Sequence, residues 1–359
     1  MKCSPLAIDH WPAADRSMWN EIVASGDILD HAGPGARWRS ATRLIISRDY
    51  GYWLSFLQSE KVDFALAPPL DRITPERVRK YVVSIGGLAA STCAGRLRAV
   101  AIVATCAGGA SDWTWLVRMR RSLDAKARRH RGQRKQHRIV ASHKLVDAGI
   151  RQMRDALLSD CMSFRVRAIA FRDGLMIALL ASRPLRRGNF ASLRLGYHLH
   201  TTPTGYRIEI PNEESKTGQI IETAIPDELV PWLDQYLDVF RPRLLDGAAS
   251  EHLWISKDGR PYSPKHLGDR ITKITRRLVG VAVNPHLFRD CAATTIATVD
   301  PEHVRMVTPL LGHRTPVTAE RYYNQAGSME AGRAHQKNIR QLRKKLRPLT
   351  LRPAQRSRR

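Results

Sequence analysis

Asn284 to Ala326 reads NPHLFRDCAATTIATVDPEHVRMVTPLLGHRTPVTAERYYNQA, and the reading of this stretch decides what the rest of the chain is for. His286 and Arg289 stand at i and i+3, so on a helix they share one face. Asp300-Pro301-Glu302 is a helix start, an N-cap acid followed by proline in the first turn. Leu310-Leu311-Gly312-His313 ends that helix, with Gly312 placed to take a positive φ and turn the chain. Thr315-Pro316 starts another, and Tyr322 falls on its second turn. The pattern predicts short helices that gather two imidazoles, a guanidinium and a phenol into one neighbourhood.

Such a set suits attack on a phosphodiester. A phenol, with an ordinary pKa of about 10, is a weak nucleophile at neutral pH. It becomes useful where cations and hydrogen-bond donors hold the phosphate and favour the phenolate. Arginine donates to two phosphate oxygens at once and keeps its charge. Histidines can donate to the remaining oxygens or move the phenol's proton.

The motif H-x-x-R, then L-L-G-H, then a tyrosine nine residues past that histidine resembles the tyrosine recombinase (phage integrase) family. Here the pieces are His286/Arg289, Leu310 to His313, and Tyr322, whose spacing fits the family's nucleophile better than that of Tyr323. Two further members lie upstream. Pro184-Leu185-Arg186-Arg187-Gly188-Asn189-Phe190-Ala191-Ser192-Leu193 resembles the family's G-L-R-x-x-E-L-x-x-L, which puts Arg186 in the role of its first arginine. Arg183 and Arg187 are close by, but only Arg186 keeps the spacing to Phe190 and Leu193; Asn189 stands where the family has glutamate. The family's hairpin lysine is matched by Lys216 in Glu214-Ser215-Lys216-Thr217-Gly218.

Composition agrees with a nucleic-acid partner. The 359 residues suffice for two domains, 43% hydrophobic content makes them globular, and the formal charge is +26. A charge that large repels itself unless an anion offsets it, and nucleic acid is the commonest such anion. No apolar run approaches the roughly 20 residues of a spanning helix. Cys3, Cys93, Cys106, Cys161 and Cys291 form no C-x-x-C pair and read as reduced thiols. Cys291 lies beside Arg289 but in no reactive-thiol context.

Taken in order, residues 1–38 read as irregular. Helices are expected over 41–58, 74–83, 91–106 and 113–127, a small helical domain over 39–125. Residues 126–138, KARRHRGQRKQHR, carry nine Lys, Arg or His in thirteen and read as part of a linker over 126–141. Arg128, Arg129, Arg131, Arg134, Lys135 and Arg138 are candidates to strap it along a phosphate backbone; the plain alternative is a solvated tether. A helix with Leu145, Ile150, Met153 and Leu157 follows, then a buried one over 164–181. Strands are expected over 190–201, 206–210 and 219–225, with Lys216 in the turn between the last two. His198 and His200 alternate on the first; with no third ligand nearby they read as a polar strand face, not a metal site. An amphipathic helix over 227–240, a short buried strand at 253–255 and a helix begun by Ser263-Pro264 complete the region before the key stretch. The last of these carries Lys273, Arg276 and Arg277 outward, placed for phosphates or for solvent. Another helix is expected over 328–347, followed by an Arg- and Pro-rich end.

The fold class expected is mainly α with a small antiparallel β-sheet. The resemblance implies a helical N-terminal core-binding domain, a mixed α+β catalytic domain over 142–335 and a basic tail over 336–359. It implies a site-specific DNA recombinase or integrase of mobile-element type that works through a 3′-phosphotyrosine link, with Arg186, Lys216, His286, Arg289, His313 and Tyr322 as its catalytic set. The partners implied are double-stranded DNA and further copies of this chain, four of them in a synapse, with no membrane, no metal and no cofactor, in a bacterial cytoplasm at the nucleoid. Two other readings remain: a type IB topoisomerase-like enzyme, and a DNA-binding protein of the same fold that performs no chemistry.

Overall fold

A computed structural model describes residues 4–27, 31–108, 112–216 and 218–300, and beyond them only positions 303, 304, 307, 336, 337, 339 and 341; over 130–136 it describes backbone alone. Among the described residues the protein is mainly α-helical with one three-stranded antiparallel sheet. It divides into two compact units, Met1–Gln136 and His137–Arg359. Among the described residues no helix is long and apolar enough to cross a membrane.

The first unit is helical. Helices α1 (Ala13–Val23), α2 (Ser40–Ser59), α3 (Pro75–Ser84), α4 (Ala90–Cys106) and α5 (Thr114–Gln136) surround a core of Trp19, Tyr50, Trp53, Leu57, Tyr81 and Leu97. Thr74 caps α3 by accepting from the Arg77 N–H, with Pro75 in the first turn, as the sequence predicts. The irregular reading of residues 1–38 is corrected, because α1 lies there. Its buried residues are Asp15, Met18, Trp19 and Ile22, the i, i+3, i+4, i+7 stripe of an amphipathic helix with a carboxylate in it. That carboxylate accepts from the Tyr50 hydroxyl at 2.8 Å and pairs with the buried Arg72 at 2.5 Å. Arg72 also donates to the Ala67 and Phe64 carbonyls. Removing one member of such a buried pair typically costs about 3–5 kcal/mol.

The expected linker is also corrected in its first part: residues 126–136 continue α5. Lys, Arg, Ala and Gln are strong helix formers, so a helix anchored by Leu116, Met119 and Leu123 propagates without a further core.

In the second unit, α6 (Ser142–Leu158) and α7 (Phe164–Ser182) cross at backbone contact. A Cβ on Gly149 would lie 2.6 Å from the Gly174 oxygen, and one on Gly174 equally close to the Gly149 oxygen. After α7 come α8 (Arg187–Ala191) and strands β1 (Leu199–Thr202), β2 (Gly205–Ile210) and β3 (Ile221–Ala224), in the order β1-β2-β3. The expected strand over 190–201 is therefore mostly not one. Phe190 belongs to α8, where burial on one side satisfies the same apolar pattern, and the strand starts at Leu199.

The expected helix over 227–240 is interrupted. A 3-10 turn at Asp227–Leu229 leads to α9 (Val230–Gln235), a π-helical turn at Tyr236–Phe240, then α10 (Arg241–Leu245). Its apolar stripe is nevertheless core: Leu229, Leu233, Tyr236 and Phe240 are buried. Then follow α11 (Pro264–Val279) and α12 (Pro285–Val299), each begun by a capping side chain and proline. Arg172 and Asp173, both fully buried in α7, pair at 2.7 Å; Asp173 also holds Arg270 of α11, and Arg172 donates to the Ile255 carbonyl at 2.7 Å.

Candidate active site

Helix α12 fixes the first pair of candidate residues. Asn284 accepts from the Leu287 N–H at 3.0 Å and Pro285 fills the first turn, which fixes where the helix starts. The loop before it is clamped by buried Thr275, whose hydroxyl accepts from the Val283 N–H at 2.9 Å and lies 3.1 Å from the Val283 carbonyl. Leu287, Phe288 and Cys291 enter the core. His286 is exposed in the first turn, whereas Arg289 is buried and donates to the Pro184 carbonyl at 2.8 Å.

That bond ties α12 to the segment carrying Arg186. The chain leaves α7 at Ser182, passes Pro184 and enters α8, and the Arg186 carbonyl accepts from the Phe190 N–H to open that helix. Phe190 and Leu193 are fully buried, Phe190 against Trp254 at 5.0 Å, so the spacing of Arg186 to these residues is a packing constraint. Arg186 is half-buried, and burial pushes its guanidinium below the ordinary arginine value. The neighbours do other things: Arg183 donates to the Ala224 carbonyl at the end of β3, and Arg187 lies over Gly268 of α11.

Lys216 is exposed in the loop between β2 and β3, as the hairpin reading expects. Asn189, where the resemblance expects glutamate, donates to the Glu214 carbonyl at 3.4 Å and so connects the Arg186 segment to this loop. Cys291 lies in the core: burial raises its thiol to about 11, and its sulfur accepts from the Val140 N–H. His313 and Tyr322, with the helices expected around them and over 328–347, lie outside the described residues apart from a few single positions.

The basic candidates divide. Arg128 and Arg129 are exposed on α5, and Arg131, Arg134 and Lys135 follow on the same helix. Arg138 is engaged inside the second unit, donating to the Ala282 carbonyl at 2.9 Å. Lys273, Arg276 and Arg277 form an exposed face of α11, where Arg277 also donates to Gln152. Among the described residues no His, Cys, Asp and Glu cluster has the form of a metal site. His198 is a buried turn residue rather than a partner of His200 on a strand face.

The model of the phage integrase family matches residues 151–329, the span that holds all six candidate positions. The chain belongs to this family of tyrosine recombinases. The tyrosine recombinase fold is also seen in two solved structures. One is the XerH site-specific recombinase bound to palindromic difH substrate in a post-cleavage complex; it is 14% identical, with a TM-score of 0.56 over 82% of this chain and 79% of that one. The other is XerH bound to difH substrate in a pre-cleavage complex, 15% identical, with a TM-score of 0.54 over 79% and 77%. At these identities the likeness is one of fold. No curated protein matches the chain.

Proposed function

We propose that this tyrosine recombinase cleaves and rejoins double-stranded DNA through a covalent link to Tyr322. The Tyr322 oxygen attacks the scissile phosphorus, the bond from phosphorus to the 5′ oxygen breaks, and a 3′-phosphotyrosine remains. The departing 5′ oxygen takes a proton from the Lys216 ammonium and leaves as a hydroxyl. His286 and His313 orient the phosphate and exchange protons with the phenol. Arg186 and Arg289 neutralise the charge that builds on the non-bridging oxygens, the kind of preorganised electrostatic help that usually dominates such steps. Attack by a 5′ hydroxyl of a second DNA end reverses the chemistry and needs no outside energy.

The observation that carries this reading is the bond from buried Arg289 to the Pro184 carbonyl, two residues from Arg186. Residues 105 apart in sequence thereby meet in one place. In this reading the helical first unit is the core-binding half, and the exposed cations of α5 and α11 track phosphates, so affinity falls steeply with added salt. XerH is described on a DNA substrate before and after cleavage, which supports the same substrate class here. The working assembly is four copies on two DNA segments, in the cytoplasm at the nucleoid.

The test is a nicked suicide duplex carrying a site selected from random DNA by binding to the full-length chain. A covalent adduct on a denaturing gel, followed by strand exchange, supports the proposal. An adduct with relaxation of supercoils and no exchange identifies a topoisomerase-like enzyme; binding without adduct identifies a silent DNA-binding protein.

A further inference from the structure

The reaction above gives His198 no role, yet its imidazole is fully buried and both its nitrogens are engaged. Nδ1 accepts from the Arg194 backbone N–H at 3.1 Å, which leaves the ring proton on Nε2. Nε2 lies 3.0 Å from one Glu214 carboxylate oxygen and donates to it. The other Glu214 oxygen is 4.0 Å from the Arg194 guanidinium, which lies over the Tyr197 ring at 4.0 Å. Tyr197 in turn meets the imidazole edge-on at 4.5 Å. The His198 carbonyl accepts from the Glu209 N–H of β2 at 2.8 Å, so the ring is fastened to the sheet from which the loop departs. Glu214 is two residues before Lys216. Between them the buried Ser215 donates its N–H to the Pro211 carbonyl at 3.0 Å.

We infer that His198 is a positioning residue for Lys216, acting through the Glu214 carboxylate to hold the β2–β3 loop at its base. The inference rests on Lys216 being the general acid. A lysine side chain already carries about 2 kcal/mol of rotamer entropy, so a loop that wandered as well would seldom bring the ammonium to the 5′ oxygen. The clamp removes the backbone share of that freedom and leaves the side chain to make the last approach. Its side chains, those of His198, Arg194, Tyr197 and Glu214, come from the β1 approach and the loop, and Asn189 reaches the loop only through the Glu214 backbone carbonyl, which Glu214→Ala keeps. Loosening the clamp therefore acts first on the proton donor.

The test uses the full-length protein and two DNA substrates in single-turnover cleavage. One has the ordinary scissile phosphodiester. The other has sulfur in place of the bridging 5′ oxygen, and its thiolate leaves without needing a proton. Glu214→Ala and His198→Ala should cleave the ordinary substrate about 10- to 100-fold more slowly and the sulfur substrate at the wild-type rate. His198→Gln, whose amide can both accept from Arg194 and donate to Glu214, should recover most of the loss. Lys216→Ala is the control for the underlying reading: if sulfur does not rescue it, the general-acid assignment falls and the inference with it. If sulfur rescues Lys216→Ala while both Glu214→Ala and His198→Ala treat the two substrates alike, the positioning role alone is overturned. Should His198→Ala fail to fold, Glu214→Ala decides, because Glu214 lies at the surface with its side chain about a third exposed at 34%.

Discussion

The two sides of the proposed phosphate site are built in opposite ways. Arg289 is 7% exposed on a helix sunk in the core, with its guanidinium tied to the Pro184 carbonyl. Lys216 is exposed on a loop held at its base by His198, Glu214 and Asn189. The contrast follows from what each group must do. A cation that stabilises developing charge is most effective when it is fixed and shielded from water before the reaction starts. A proton donor must give up its proton and regain one from solvent, so it works from an exposed loop if the loop is aimed.

This comparison can be broken or sharpened by four measurements. The largest effect belongs to the phenol both sides serve: Tyr322→Phe should abolish the covalent adduct on a denaturing gel, and Tyr323→Phe should retain it. An adduct in the first variant moves the nucleophile to another residue. Next, Arg289→Lys should slow cleavage about 100- to 1,000-fold, because a point charge replaces a planar fork. The same change leaves the Pro184 carbonyl with a poorer donor, at a cost of about 1–3 kcal/mol in denaturant unfolding of the protein. If Arg289→Lys keeps full stability, the arginine side is less embedded than its burial implies.

Lys216→Ala should slow cleavage of ordinary DNA about 100-fold with an unchanged unfolding midpoint. A drop in stability as large as that of the arginine variant would erase the distinction between the two sides. The smallest effect concerns pH. Burial, the main cause, lowers the pKa of His198 below the ordinary imidazole value, while the hydrogen bond and charge of Glu214 oppose it and Arg194 and His200 reinforce it. The unfolded chain therefore takes up this proton first as pH falls. The stability contributed by the neutral ring is whole above about pH 6.5 and declines below it. The gap in unfolding midpoint between wild type and His198→Gln should accordingly narrow between pH 7 and pH 5. A gap that widens contradicts the neutral, Nε2-protonated ring.

By itself the sequence determined most of the longer helices and the family. Their signals are local: Thr74-Pro75 and Ser263-Pro264 each start a helix where the structure has one, and the apolar patterns of α2 and α6 mark two more. The motifs from Arg186 to Tyr322 are equally local, since spacing along the chain is what they consist of. Only the tertiary structure decided the roles of isolated polar residues. Residues 1–38 read as irregular for their prolines and glycines, yet α1 forms there, and Arg72 and Tyr50 supply partners for its buried Asp15 from far along the chain. His198 looked like one of a strand-face pair until Glu214 and the Arg194 N–H claimed its two nitrogens. Arg138, on the sequence one cation of a basic run, gains a partner in the Ala282 carbonyl. In each case the side chain's energy depends on what lies opposite it in space, and a partner tens of residues away leaves no periodic trace in the sequence.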